Sequence, residues 1–345
     1  MATPVGPDAE IQLVFERQRA WVSPWGAALR RYVVVNADGG ETDILWGYSG
    51  GAQKKGGQGD VLIPFPGRVA EGRYRFDGHT LQLERNDKEG PNAIHGFVRA
   101  LPWTVQQIDS AEVAFEVQLD AASYGPRGYP FSLAVRVGYR VDTQGLSCAF
   151  SVQNVGRAAA PVGVGFHPYF TVGTPLVDMA EAKIPATGYL EFNERLAPTG
   201  KVVDAQGTDW DYRDYRRVGS RRFNHCYVGL ERSPDGLATA SLRHPGTGAT
   251  IDVVMDGAFS AIVVYTGDAI ADAPRRALAI EPMTCATDAF NHPEWGLTRL
   301  LPDDTFTGRY RVVARPGSHP YFHLPSFLHH PLRPPAGFDD AESYF

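Results

Sequence analysis

Short extended runs, repeatedly closed by turn-forming residues, constrain this chain more than any other feature. The clearest case is Ala238 to His244 and Ala249 to Met255, separated by Pro245-Gly246-Thr247-Gly248. Pro presets one turn dihedral and Gly supplies positive φ, so the two runs read as a hairpin. The same grammar joins Phe131 to Arg140 with Leu146 to Gln153 through Val141-Asp142-Thr143-Gln144-Gly145. Val113 to Leu119, Ala261 to Tyr265 and Tyr310 to Ala314 read as further strands. Glu10 to Arg17 superficially resembles a helix, but β-branched and aromatic residues in Ile11 to Phe15 and Ala27 to Val35 favour strands. With 37 Gly and 26 Pro in 345 residues, no helical period persists. The expected class is all-β, a large sandwich or a barrel.

Composition narrows what such a fold can do. An apolar fraction of 43%, with 18 Phe, 15 Tyr and 6 Trp, supplies a substantial core. The formal net charge of −6 gives no basic footprint for nucleic acid. No apolar run reaches the roughly 18 residues of a membrane span. Met1 to Gln18 lacks the basic start and apolar run of a secretory signal. The three cysteines, Cys148, Cys226 and Cys285, are widely spaced and odd in number, which fits a reducing cytoplasm better than a disulfide framework or a zinc site. One domain is expected over residues 1–315. Residues 316–345, rich in Pro and His, are expected to form an irregular tail. The tail's His319 and His323 have helical ligand spacing, but Pro320 and Pro325 oppose a helix, so no metal site is read there.

Four segments join chemically useful side chains to tight turns. Asn92-Ala93-Ile94-His95-Gly96 sets an imidazole where Gly permits close backbone approach; the same pattern suits a structural loop His bonded to a carbonyl. Gly163-Val164-Gly165-Phe166-His167-Pro168-Tyr169-Phe170 surrounds a His with the aromatic rings on which sugar C–H faces stack; it also suits an aromatic core turn. In Leu278-Ala279-Ile280-Glu281-Pro282, an apolar run leads into a Glu and then a Pro. That Glu is expected at a strand end, either partly desolvated and basic or as an exposed edge carboxylate. In Pro64-Phe65-Pro66-Gly67-Arg68-Val69, Arg68 follows a rigid turn and could fork hydrogen bonds to hydroxyls, or simply face solvent.

Taken in order with Gly47-Tyr48, these motifs resemble the aldose 1-epimerase (galactose mutarotase) family, and its more divergent bacterial branch in particular. The resemblance spans about residues 10 to 315. It implies a large antiparallel β-sandwich, the supersandwich. It also implies that Glu281 is the general base for the C1 hydroxyl, His167 the general acid for the ring oxygen, and His95 a second active-site His. Arg68, Asn224, Asn92 and Tyr169 are then expected to bind a monosaccharide. Neither cofactor nor metal is implied, and a monomer or homodimer is expected. One position departs from the family pattern: Asn224 stands where an Asp usually contacts a sugar hydroxyl. The reaction requires Glu281 ionised and His167 protonated at the start, with all three side chains lining one cleft and room for a pyranose between the carboxylate and the imidazoles. Two other functions stay open. Lys54, Lys55 and Arg99 keep a hexose-6-phosphate 1-epimerase in view, and folds of this kind also serve as non-catalytic carbohydrate-binding proteins.

Overall fold

The computed structural model describes residues 6, 8–107 and 109–317. Most of the tail therefore lies outside the described residues, including His319 and His323.

Two large antiparallel sheets dominate. The nine-stranded sheet runs, in spatial order, Thr104–Gln107, Glu112–Leu119, Leu133–Asp142, Gly145–Asn154, Thr305–Arg315, Thr250–Met255, Ala238–Arg243, Glu181–Lys183 and Arg216–Arg217. The eight-stranded sheet runs Pro198–Asp204, Ala186–Phe192, Asn224–Leu230, Ala261–Tyr265, Leu278–Met283, Gly165–Phe166 and Val61–Leu62, with Tyr169–Phe170 also paired to Leu278–Met283. A separate four-stranded sheet near the N-terminus is formed by Ile11–Phe15, Gln18–Val22, Leu29–Val35 and Glu41–Asp43. The expected all-β sandwich is thus the observed architecture.

The anticipated hairpins are present, and alternation explains their packing. Leu133–Asp142 buries every second residue, as a strand with one face on the core must. The strand ahead of the Asp142 turn and the strand after it pair from Leu133↔Asn154 down to Asp142↔Gly145, which leaves only Thr143 and Gln144 in the loop. Aromatic rings lock the two sheets together. Phe166 of the eight-stranded sheet packs on Tyr310 of the nine-stranded sheet with centroids 5.0 Å apart, and Phe150 lies 6.3 Å from Phe166. Among the described residues the only α-helix is Ala121–Tyr124, started by Asp120, whose carboxylate accepts the Ala122 and Ser123 amides. No helix among them is long and apolar enough to cross a membrane.

Candidate active site

Strand register brings the site together. Leu278–Met283 is buried along its whole length. On one side Glu281 pairs with Val263. On the other, Gly165 pairs with Met283 and Tyr169 with Ala279, a register that sets His167 opposite Glu281. The ladder is interrupted there, because Pro168 has no amide to donate. Directly opposed residues project from the same face of a sheet. His167 Nε2 accordingly lies 3.4 Å from Glu281 Oε1. The same row continues through Val263 to Cys226, and both line the cleft with the His–Glu pair. Glu281 is therefore not at a strand end. It sits within a central strand at 2% exposure. Pro282, like Pro168, falls in the unbridged stretch between Gly165↔Met283 and Tyr169↔Ala279, and neither has an amide to donate.

The cleft holds about 350 Å³. Of the residues singled out from sequence, Arg68, His95, Arg99, His167, Asn224 and Glu281 line it. Sequence reasoning did not single out the aromatics Phe192 and Tyr265, which also line it. Each closes a short strand, Ala186–Phe192 or Ala261–Tyr265, and that position carries no signal of a cleft.

His167 is held on several sides. Its amide donates to the Asp60 carbonyl at 3.0 Å, and its own carbonyl accepts from the Gly59 amide at 2.9 Å. The Tyr169 ring stacks on the imidazole at 5.1 Å and 20°, while its hydroxyl donates to the Gly56 carbonyl at 2.7 Å. Gly57, at φ +77°, passes so near that a Cβ there would sit 3.1 Å from His167 Cδ2. Tyr169 was expected to bind sugar. Instead it is 1% exposed and does not line the cleft, so it acts as the support beneath His167.

His95 arrives from another direction. Its backbone is left-handed at φ 65°, and its amide donates to the Gly67 carbonyl at 2.9 Å. The adjoining pairs Arg68↔Ile94 and Val69↔Ala93 tie the two segments. The His95 ring meets that of His167 edge-on, 5.4 Å between centroids. Arg68 is oriented by two acids, through Nε to Asp87 Oδ2 at 2.7 Å and Nη2 to Glu89 Oε2 at 2.9 Å. Burial opposes ionisation of Asp87, but hydrogen bonds from Arg68, the Glu89 amide and Asn92 outweigh it and hold the carboxyl below its usual range. Asn92 is the second correction. It is 1% exposed, donates to Asp87 at 3.1 Å and to the Arg195 carbonyl at 2.9 Å, and is absent from the cleft wall. Its amide is spent bracing the acid that braces Arg68.

Burial also sets the protonation of the pair. It raises the Glu281 carboxyl well above its ordinary range, with the Arg68 charge opposing. It lowers the His167 imidazole to about 3; a backbone hydrogen bond opposes the shift, and the charges of Arg99 and Lys54 add to it. His95 is likewise pushed well below its usual value, by burial and then by the charges of His167, Arg99 and Arg68. Glu281 Oε2, His167 Nδ1 and His95 Nδ1 are buried without a hydrogen-bond partner among the described residues. All three atoms belong to residues that line the cleft, and buried polar atoms ordinarily have a hydrogen-bond partner.

Known proteins share this arrangement of strands. The model of a family described as aldose 1-epimerase matches residues 11–313. The chain belongs to the aldose 1-epimerase family. It is 32% identical over 234 residues to the uncharacterised protein YihR of Escherichia coli, covering 68% of this chain and 71% of that protein. It is 28% identical over 279 residues to galactose mutarotase of Sus scrofa, covering 76% and 78%. Among solved structures, a GalM/aldose epimerase homologue from C. elegans superposes with a TM-score of 0.78 at 17% identity, covering 90% of this chain and 99% of that one. That last likeness concerns the fold. Within the family frame, Asn224 lies at the exposed start of the strand Asn224–Leu230, on the cleft wall and paired with Tyr265.

Proposed function

We propose that this chain is an aldose 1-epimerase that interconverts the α and β anomers of a free monosaccharide. The contact between Glu281 and His167, 3.4 Å apart on the cleft wall, carries the reading. Ring opening removes a proton from the C1 hydroxyl and adds one to the ring oxygen. Both oxygens are bonded to the same carbon, so the acid and the base must reach neighbouring points. Two groups in contact meet that demand without a sugar ring between them.

The proton inventory refines the mechanism. The ionic starting state expected from the sequence, carboxylate beside imidazolium, is opposed by burial, which disfavours both charges. Burial of both groups favours leaving the single proton of the pair on Glu281. Carboxylic acid with neutral imidazole and carboxylate with imidazolium contain the same number of protons. Hydrogen bonds from sugar hydroxyls to the carboxylate favour the second form. Glu281 then takes the C1 hydroxyl proton while His167 protonates the ring oxygen. The ring opens, rotation about C1–C2 exposes the other carbonyl face, and the pair recloses the ring with roles reversed. His95 and Arg68 hold the ring oxygen and hydroxyls. Asn224, uncharged, can both donate to and accept from a hydroxyl. Three buried free thiols support a reducing, cytoplasmic setting.

Polarimetry of freshly dissolved α-D-glucose and α-D-galactose tests the proposal. Mutarotation should accelerate in proportion to enzyme concentration. A rate no faster than the spontaneous one for every aldose tried, with sugar binding retained, would leave a carbohydrate-binding protein in its place.

A further inference from the structure

Two cations stand close enough to His167 for their charges to bear on its imidazole: Lys54 and Arg99. Both are directed at Asp60. Lys54 Nζ contacts Asp60 Oδ1, and Arg99 Nη1 lies 3.6 Å from Asp60 Oδ2. The acid is the buried member of this trio, at 2% exposure, while the side chains of Lys54 and Arg99 keep 22% and 27%. Burial pushes the Asp60 carboxyl up, and the charges of Lys54 and Arg99 work against that rise.

The fold places Asp60 in the catalytic row. Leu62 pairs with Gly165 and Val61 with Phe166, so Asp60 stands opposite His167, as His167 stands opposite Glu281. A Cβ at Gly57 would lie 3.1 Å from His167 Cδ2 and 3.6 Å from Asp60 Oδ2, so the imidazole and the carboxylate flank one glycine. Arg99 lines the cleft beside them. Of the other cations lining the cleft, Arg68 is already committed to Asp87 and Glu89, and the exposed Lys88 stands alone, with no second unpaired cation converging on it among the described residues. Recognition of a phosphate group calls for converging cations whose donors are not already taken.

We propose that Asp60 is a specificity-determining residue: its buried carboxylate occupies Lys54 and Arg99, so the cleft accepts neutral aldoses and discriminates against phosphorylated ones. This rests on the aldose 1-epimerase reading. A purely structural ion pair would hold the loop and leave the choice of sugar untouched.

The test compares glucose with glucose 6-phosphate in the wild type and in Asp60→Asn. Wild type should favour glucose. In Asp60→Asn, the ratio of kcat/KM for glucose 6-phosphate to that for glucose should rise by roughly tenfold to a hundredfold, the worth of one charge-assisted hydrogen bond. Inorganic phosphate should become a competitive inhibitor of the variant and not of the wild type. Should Asp60→Asn fail to fold, Lys54→Met/Asp60→Asn removes both members of one pair together, leaves Arg99 without its acid, and should shift the ratio in the same direction. A folded, active variant with an unchanged ratio and no sensitivity to phosphate overturns the inference, as does a wild type that turns over glucose 6-phosphate at least as well as glucose. A wild type inactive on both sugars instead overturns the underlying functional reading.

Discussion

The contact between Glu281 and His167 makes a quantitative prediction about their joint loss. Separately, a positioned base or acid is worth roughly 10²–10⁴-fold in rate. Glu281→Gln and His167→Asn should each lose that much, about 3–5 kcal/mol of barrier at 1.36 kcal/mol per decade. Independent groups would multiply, and the double variant would then lose roughly 10⁴–10⁸-fold. With Nε2 and Oε1 only 3.4 Å apart, one proton serves both, and removing either member disables the other. The double variant should therefore be no slower than the worse single variant by more than about threefold. Polarimetric initial rates on α-D-galactose, with thermal melts as a fold control, measure all four corners of the cycle. Losses that multiply would refute the shared-proton argument while leaving each residue a role. Single variants as fast as wild type would refute the site altogether. Neither substitution should unfold the protein, since Gln keeps the volume of Glu at a position where Oε2 has no partner among the described residues.

Other consequences follow from burial and packing. In Glu281→Gln, His167 titrates without a carboxyl beside it; its folded pKa of about 3 lies below the unfolded value near 6.5, so its contribution to stability is full above pH 6.5 and falls on acidification, by about 2 kcal/mol between pH 7 and pH 5. His95 is lowered too and adds its own loss, so urea unfolding at the two pH values is compared between Glu281→Gln and Glu281→Gln/His167→Asn. An equal loss in both would show that His167 protonates freely in the fold. Gly96→Ala should destabilise by more than about 3 kcal/mol, because a Cβ there would lie 2.0 Å from the Ile63 carbonyl oxygen at φ +65°; a melting temperature within a degree or two of wild type would contradict the close approach. Asn92→Ala should cost about 1–3 kcal/mol of stability through the lost bonds to Asp87 and Arg195, with KM for galactose changed far less than in Arg68→Ala. The reverse ranking would return Asn92 to the sugar.

Local chemistry made much of the fold legible. Period-two alternation and turn residues gave the strands around Pro245–Gly248 and around Thr143, because each such strand pairs with its neighbour in sequence and a short turn sets the register. The resemblance to the family also named residues that the fold brings to one cleft. It erred where function depends on what lies beneath a side chain. Asn92 and Tyr169 sit in motifs that read as sugar-binding, yet the packing turns both inward, one onto Asp87 and one under His167. The Glu281 environment was misjudged for a related reason: Pro282 looks like the end of a strand until the interrupted neighbour opposite it is known.

What the sequence determined by itself was the class of fold and the kinds of group available: strands from alternation and turns, and a Glu and two His residues set among glycine and aromatic residues. What only the tertiary structure decided was their meeting. His167, between the short strands Gly165–Phe166 and Tyr169–Phe170, and Glu281, within Leu278–Met283, are far apart in the chain, and no turn links them. Their opposition depends on the register Gly165↔Met283, which is fixed by which faces the two sheets bury against each other. A slip of one residue would turn Glu281 to the other face of the sheet. The same cross-strand geometry carries Asp60 into the row and directs Lys54 and Arg99 to it, so the charge balance of the cleft is a property of the packed sheet and of no single motif.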